Sequence, residues 1–152
     1  MKLFSLITLC LIIISCDSKR VYEENIDFAK KEWMRDSVYV FHFDVKDTNQ
    51  DYRLLFNIRN SLNYENYNIY LTYRLEDSLG IISEKMKELY LFDKSTGTPF
   101  GSGLGDIFDH RIPILDTIHF SNPGKHSISL QHEMRPDTLK DVLGIGIRLE
   151  TL

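Results

Sequence analysis

The sequence predicts an all-β fold, an antiparallel β-sandwich with either jelly-roll or immunoglobulin-like strand order. Seven stretches alternate apolar and polar residues with a period of two, as strands do when one face lies in a core. Turn-forming residues separate them, most clearly at 122–124 (Asn-Pro-Gly), and no long amphipathic helix lies between them. The strands are expected at 37–45, 52–60, 67–76, 82–92, 110–120, 125–134 and 142–150.

The clearest strands combine this alternation with residues that favour a pleated, half-buried surface. In 52–60 the side chains of Leu54, Phe56 and Ile58 share one face, and polar side chains occupy most of the other. The stretch 82–92 is less clear, because its middle would also suit a helix. It lacks a good N-terminal cap and is predicted as a strand.

Composition and pattern divide the chain into three parts. Residues 1–15 are predicted to be a lipoprotein signal peptide, residues 16–36 a lipidated N-terminus and tether, and residues 37–152 the β-sandwich domain. The charged, irregular tether would also allow a short helical turn over 27–33, and Trp33 is expected to pack rather than bind a ligand. A domain of this size can bury its own core.

The N-terminus has the order of a bacterial secretion signal. A positive charge at Lys2 precedes the apolar run 3–14, and Ser15 places a small residue directly before Cys16. Twelve residues of helix rise only about 18 Å, against roughly 30 Å of hydrocarbon, so the run is too short for a comfortable membrane span. The quartet 13–16 (Ile-Ile-Ser-Cys) resembles a lipobox. It predicts cleavage before Cys16 and a membrane anchor through acyl chains on its thiol.

Cysteine usage and charge narrow the class of protein further. The sequence has two cysteines, and cleavage before Cys16 would remove Cys10, so no intrachain disulfide is expected. The formal net charge is −4, so the chain lacks the basic surface of a nucleic-acid-binding domain, and no nucleic-acid partner is predicted. The hydrophobic fraction of 43% argues against a disordered tail.

The glycine-rich stretch 97–106 (GTPFGSGLGD) is the most site-like feature of the sequence. It is not a phosphate-binding loop, because no Gly-Lys-Ser/Thr ends it, and not a nucleophile elbow, because glycines stand directly beside Ser102. Its glycines favour a long loop or a distorted edge strand, whose apolar residues could form a tip for a partner. The residues of this candidate interaction loop are Phe100, Gly101, Gly103, Leu104, Gly105 and Asp106.

No catalytic residue, metal site or cofactor is predicted, and the protein is expected not to be an enzyme. Asp106, Asp109 and His110 offer too few oxygens for Ca²⁺, and no cysteine or paired-histidine spacing suits zinc. Nothing marks an activated nucleophile beside the five scattered histidines. His126 and His132 share a strand face with apolar residues, so partly buried or rim positions are expected for them.

Aromatic residues leave a second hypothesis open, a carbohydrate- or small-ligand-binding lipoprotein of the cell envelope. Tyrosines recur at 64, 67, 70 and 73, a spacing that would align them on a helix. On the predicted strand Tyr67 and Tyr73 instead face one way and Tyr70 the other. In this hypothesis sugars would stack on Tyr64, Tyr67, Tyr70 and Trp33.

Several stretches, taken together in their order and spacing, resemble the gliding motility lipoprotein GldH family over essentially the whole chain. No one of them is specific alone. They are Ser15-Cys16-Asp17-Ser18 with Arg20-Val21-Tyr22, Asp36-Ser37-Val38, Asn57-Ile58-Arg59-Asn60 with Tyr64, Asn68-Ile69-Tyr70-Leu71, Gly103-Leu104-Gly105-Asp106, Pro123-Gly124-Lys125-His126-Ser127-Ile128, Met134-Arg135 and Gly144-Ile145-Gly146-Ile147-Arg148-Leu149-Glu150.

The resemblance implies a non-enzymatic lipoprotein of the cell envelope that is needed for gliding and works beside the gliding and type IX secretion machinery. It implies protein partners in that machinery and no cofactor. Beyond the lipidated Cys16, it carries over no functional residue. The anchor is expected to face the periplasm, in either the inner or the outer membrane.

Overall fold

The computed structural model describes residues 17–152, and every regular element in this part of the chain is a β-strand. These residues include no helix that could cross a membrane. The strands are β1 (Arg20–Asp27), β2 (Glu32–Met34), β3 (Tyr39–Val45), β4 (Asp51–Ser61), β5 (Asn68–Asp77), β6 (Gly80–Tyr90), β7 (Ser102–Leu104), β8 (Ile107–His119), β9 (Gly124–His132), β10 (Thr138–Lys140) and β11 (Val142–Thr151).

The strands form two large antiparallel sheets and a small pair. The five-stranded sheet has the order β1-β11-β4-β8-β7, and the four-stranded sheet has the order β3-β9-β5-β6. Strands β2 and β10 pair separately. The predicted all-β sandwich is therefore confirmed. All seven expected strands are present, including the ambiguous stretch 82–92, most of which lies in β6.

The core lies between the inner faces of the two large sheets. Leu54, Phe56 and Ile58 of β4 are buried there, as the period of two in the sequence predicts. Aromatic rings connect the sheets, since the ring centroid of Tyr22 in β1 lies 5.9 Å from that of Phe43 in β3. Each fully buried aliphatic or aromatic side chain stabilises the fold by roughly 1.5–3 kcal/mol relative to exposure.

The N-terminal segment differs from the tether expected over 16–36. Arg20–Asp27 is strand β1 and pairs along its length with β11. Glu32–Met34 is strand β2, so the helical turn allowed over 27–33 does not form, and Trp33 is completely buried as a packing residue. The sequence pattern does not indicate strand β1, because charged residues occupy much of it and none of its side chains is fully buried.

Antiparallel pairing places the turns of the chain at two opposite ends of the sandwich. The first, which we call the terminus end, carries residues 17–19, the turns 46–50, 78–79 and 120–123, and Leu152. The second, the hairpin end, carries residues 62–67, 105–106 and 133–137. Because β4 has 11 residues at about 3.3 Å each, the two ends lie about 35 Å apart.

Candidate functional site

The glycine-rich stretch forms a tight hairpin at the hairpin end. β7 pairs with the start of β8, and only Gly105 and Asp106 form the turn between them. Gly105 has a φ of +67°, a left-handed conformation that suits glycine. The N–H of Leu62 donates to the Asp106 carbonyl at 2.8 Å and ties the turn to the end of β4. We call residues 102–107 the glycine hairpin. Residues 102–104 of the candidate interaction loop thus form an edge strand.

Two further glycines let the chain lie close against β8. A Cβ atom at Gly101 would lie 2.4 Å from the carbonyl oxygen of Asp109, and one at Gly103 would lie 2.2 Å from that of Ile107. These separations are far below van der Waals contact, so any other residue would push the strand away. The glycines therefore hold an ordered edge strand in place.

Apolar side chains gather around the glycine hairpin and face solvent. Leu104 is 93% exposed and Phe100 is 63% exposed, and Leu62 and Ile107 are exposed beside them. Single exposed apolar residues are common, but Leu62, Leu104 and Ile107 at the turn, with Phe100 two residues before β7, are a set of the kind that proteins use to bind each other. We call these four residues the apolar tip.

A polar groove of about 630 Å³ lies beside the glycine hairpin on the outer face of the five-stranded sheet. Residues of β1, β11, β4, β8 and β7 contribute to it, so it assembles from segments far apart in the chain. Phe100 also lines it, and its polar residues are Glu23, Asn25, Asp27, Asn57, Arg59, Ser102, Asp109, His110 and Arg111.

The charges in the polar groove are largely paired with one another. The Nε of Arg59 donates to Asp109 at 2.7 Å, and a guanidinium nitrogen of Arg111 lies 3.3 Å from a carboxylate oxygen of Glu23. Asn57 donates to Glu23 at 3.0 Å, while its own buried side-chain oxygen has no partner among the described residues. The groove thus offers little free charge to an ionic ligand.

Hydrogen bonds and neighbouring charges shift the pKa values in the groove. The hydrogen bond to Asp109 raises the pKa of the Arg59 guanidinium. Burial alone would raise the pKa of Glu23, but the hydrogen bond from Arg148 and the charges of Arg111 and Arg148 bring it below its usual value. These groups are therefore ionised at neutral pH, which suits binding or rigidity better than proton transfer.

A buried arginine fixes the start of the described chain to the five-stranded sheet. The side chain of Arg148 is 4% exposed, and its guanidinium is bound by Glu23 at 2.8 Å and also by Asp17 and Glu150. Burial alone would lower the pKa of Arg148, but the three carboxylates raise it. The pKa of Asp17 is lowered, and the hydrogen bond from Arg148 is the main cause. We call these four residues the Arg148 cluster.

Asp17 is the residue directly after the predicted lipidation site. Cys16 itself and the predicted signal peptide lie outside the described residues. The next residues are held by backbone hydrogen bonds, since the N–H of Arg20 donates to the Asp17 carbonyl at 3.2 Å and that of Thr151 donates to the Lys19 carbonyl at 2.9 Å. From Asp17 onward the chain is therefore held against the sandwich.

The Asp-x-x-Asp-His cluster of the sequence has no metal-binding geometry. The carboxylate of Asp109 is engaged by Arg59, and His110 is buried against the ring of Phe92 at a centroid distance of 5.9 Å. Within residues 17–152, no group of three or more His, Cys, Asp or Glu side chains could hold a metal ion.

His126 and His132 lie deeper than the partly buried or rim positions expected, and both belong to the core. The Nε2–H of His132 donates to the carbonyl of Trp33 at 3.1 Å, and its Nδ1 accepts from the N–H of Met134 at 3.4 Å. Both ring nitrogens of a neutral imidazole are thereby used. Burial lowers the pKa of His132 and also that of His110.

Three tyrosines form a surface patch on the four-stranded sheet. The rings of Tyr67 and Tyr90 are stacked, with centroids 6.1 Å apart and planes at 13°. Tyr70 and Tyr90 are exposed. The charge of Glu88 raises the pKa of Tyr70, and a hydrogen bond to Glu88 raises that of Tyr90, so the carboxylate lies near both hydroxyls. We call Tyr67, Tyr70 and Tyr90 the tyrosine patch.

The patch differs from the aromatic set expected for sugar stacking. Tyr64 and Trp33 are buried in the core, where their rings cannot receive a ligand. Tyr73 is also buried and Tyr70 faces outward, as the strand alternation predicts. Tyr90 was missed because it lies on β6, and only the pairing of β5 with β6 brings it to the patch.

Comparison with known proteins identifies the family. The sequence profile of the GldH lipoprotein family matches residues 20–149. The chain is 30% identical to the gliding motility lipoprotein GldH homolog of Christiangramia forsetii, over 98% of this chain and 94% of that protein. It is 27% identical to the gliding motility lipoprotein GldH of Flavobacterium johnsoniae, over 95% of this chain and 93% of that protein.

Similarity to solved structures is weak. A 4-O-methyl-α-glucuronidase matches 90% of this chain with 18% of its own, at 11% identity and a TM-score of 0.48, which supports no inference about function. The family profile, by contrast, covers nearly all of the described domain. The chain therefore belongs to the GldH lipoprotein family.

Proposed function

We propose that this protein is a lipid-anchored, non-enzymatic component of gliding motility, associated with the gliding and type IX secretion machinery of the cell envelope. The observation that carries the proposal is the family match over residues 20–149, since both named relatives are gliding motility lipoproteins. The lipobox at 13–16 supplies the anchor that the name lipoprotein requires.

The contacts of Asp17 support an anchor that continues directly into the folded domain. Acyl chains on Cys16 would lie one residue from Asp17, which the Arg148 cluster holds against the sheet. Two or three acyl chains bind a bilayer stably, whereas a single chain binds only marginally. The domain would therefore stay at an envelope membrane, on the periplasmic face in our proposal.

The apolar tip supports a role in docking another protein. It lies at the end of the sandwich opposite Asp17, on an edge strand that the glycines hold in place. Exposed aromatic and aliphatic side chains such as Phe100 and Leu104 are the groups that a protein partner would bury. We propose a protein of the gliding machinery as that partner.

A hydrolase is the competing class, and the surroundings of Ser102 favour the non-enzymatic role. Ser102 lies on the exposed strand β7, opposite Asp109. The carboxylate of Asp109 is bound by Arg59, so it is not free to orient a catalytic base. We propose that these groups stabilise the hairpin.

Replacing Cys16 by Ser in a gliding host tests the proposal. We expect the variant to be unlipidated and mislocalised, and the cells not to spread on agar. Cys10→Ser, which changes the other cysteine inside the predicted signal peptide, is the matched control and should spread normally. Full spreading by the Cys16→Ser strain would contradict an anchored module.

The tyrosine patch favours a second candidate function, carbohydrate binding. Exposed rings beside a carboxylate are groups that contact the apolar faces and hydroxyls of sugars. The full chain, in a zwitterionic detergent that carries no sugar, would be titrated with neutral oligosaccharides of glucose, galactose and N-acetylglucosamine. Binding that Tyr70→Ala abolishes, and Met86→Ala on the same sheet face preserves, would support this candidate. No binding by the unmodified protein would remove it.

A further inference from the structure

A second group of exposed apolar side chains lies at the terminus end, in the hairpin between β5 and β6. Leu79 at the turn is 80% exposed, and Ile81 and Ile82 beside it are also exposed. All three are aliphatic, and no aromatic ring or charged residue stands among them in the chain. We call these three residues the aliphatic corner.

Local structure holds the aliphatic corner in this exposed position. Oδ1 of Asp77 accepts hydrogen bonds from the N–H of Leu79 at 2.8 Å and from that of Gly80 at 3.1 Å. Ile82 is the extra residue of a β-bulge, because Ser83 and Ile81 pair with adjacent residues of β5. The side chains are therefore presented by an ordered turn.

The aliphatic corner shares its end of the sandwich with the predicted anchor. Asn122, in the turn between β8 and β9, donates to Asp77 at 3.0 Å and joins the two turns. At the same end the Arg148 cluster holds Asp17, the first described residue. The residue that precedes it is Cys16, so an anchor there would leave almost no free chain between lipid and domain.

We propose that the terminus end lies directly on the bilayer, with Leu79, Ile81 and Ile82 inserted at the boundary between headgroups and acyl chains. This inference rests on the proposed lipid anchor at Cys16. An anchor held so close to the body brings the whole end of the sandwich to the membrane, and aliphatic side chains at that depth leave water.

Charged groups at the terminus end suit a lipid surface. The carboxylate of Asp77 is occupied by the turn, and that of Asp51 lies 3.1 Å from a ring nitrogen of His119. Lys46 and Lys125 are exposed at this end, where they can contact anionic headgroups. Asp47, in the same turn as Lys46, is also exposed, so the charged groups of this end lie at the level of the hydrated headgroups.

This placement fixes the direction of the apolar tip. The tip lies at the hairpin end, about 35 Å along the strands from the terminus end. With the aliphatic corner on the bilayer, the sandwich stands upright and presents Leu104 away from the membrane. The sandwich thus carries a lipid contact on the four-stranded sheet at one end and a protein contact on the five-stranded sheet at the other.

Tryptophan fluorescence in vesicles tests the placement. The lipidated protein, which begins at Cys16, would be reconstituted in phosphatidylethanolamine–phosphatidylglycerol vesicles with and without brominated acyl chains, which quench tryptophan near the hydrocarbon. The two variants are Leu79→Trp at the aliphatic corner and Leu104→Trp at the apolar tip. The native Trp33 is the only other tryptophan and is buried, so the unsubstituted protein gives the background.

We expect Leu79→Trp to be quenched at least about twofold more than Leu104→Trp, because interfacial side chains reach roughly 5–10 Å into the boundary region. Equal quenching of the two variants, or none at Leu79→Trp, would overturn the inference. If Leu79→Trp fails to fold, Ile82→Trp replaces it with the same expectation. Mass measurement of the reconstituted protein separates the two proposals, since absence of the lipid would count against the anchor itself.

Discussion

At the scale of single residues, Arg148 connects three separate parts of the chain. Its guanidinium binds Asp17 before β1, Glu23 within β1 and Glu150 near the end of β11. A buried charge of this kind is tolerated only while its partners are in place. The position of residue 17 therefore depends on a side chain 131 residues away in sequence.

Replacing Arg148 by Met should lower the free energy of unfolding by about 3 kcal/mol or more, because Glu23 would stay largely buried without its main partner. Arg59→Met is the matched control. Arg59 and Asp109 are 48% and 53% exposed, so that loss should stay below about 1 kcal/mol. Urea denaturation of both variants measures the difference, and equal losses would contradict the role given to Arg148.

The buried histidines predict how stability depends on pH. Burial lowers the pKa of His110 and His132 in the folded state, whereas an unfolded imidazole takes up its proton near 6.5. Below that pH the unfolded chain binds more protons, so the unfolding free energy should fall, by at most about 1.4 kcal/mol per pH unit for each histidine. Urea midpoints should be steady above pH 7 and decrease from pH 6.5 to 5.5. A midpoint unchanged over that lower range would contradict the burial of both rings.

At the scale of elements, the close pairing of β1 with β11 depends on the glycines of β11. A Cβ atom at Gly146 would lie 2.2 Å from the carbonyl oxygen of Glu24, so a side chain there must displace β1. Gly146→Ala should therefore destabilise the protein by about 1–3 kcal/mol and speed hydrogen exchange in β1 more than in β4.

Gly97→Ala is the control for that substitution. Gly97 has open space around it but a φ of +69°, so alanine there should cost only about 1 kcal/mol and leave exchange in β1 unchanged. If hydrogen exchange in the Gly146→Ala variant became faster to the same extent in β1 and in β4, the glycine would not act through β1.

Strands are predicted well from the sequence where every second side chain is buried in the core, and poorly where the strand buries few side chains. β4 and β11 each place apolar residues in the core at every second position, and both were predicted. β1 is an edge strand whose charged side chains make ion pairs, so its pattern carries no strand signal. β7 has only three residues, all exposed, and glycines marked its location without fixing its conformation.

Parts of the candidate site could likewise be predicted from the sequence, and other parts could not. The glycines at 101, 103 and 105 were visible in the sequence because backbone crowding and a positive φ require them. The polar groove was not, because its residues come from five strands and meet only after the sheet has formed. Likewise, Tyr90 reaches the tyrosine patch only through pairing of β5 with β6.

At the scale of the whole molecule, Asp17, the neighbour of the proposed anchor site, lies at one end of the sandwich and the exposed apolar tip lies at the other. Replacing Phe100 and Leu104 by Ser should reduce spreading of cells on agar without lowering the urea midpoint, because both side chains are mostly exposed. Met86→Ser, which changes an exposed side chain of β6, should leave spreading intact. Normal spreading by the double variant would contradict docking at the tip.

The anchor at residue 16 is the central claim, because both the membrane location and the orientation of the tip depend on it. The intact mass of the protein purified from its native host tests it most directly. We predict a chain that begins at Cys16 and carries the added mass of a diacylglyceryl group, with or without a further acyl chain. A chain with an unmodified cysteine at that position would contradict the account.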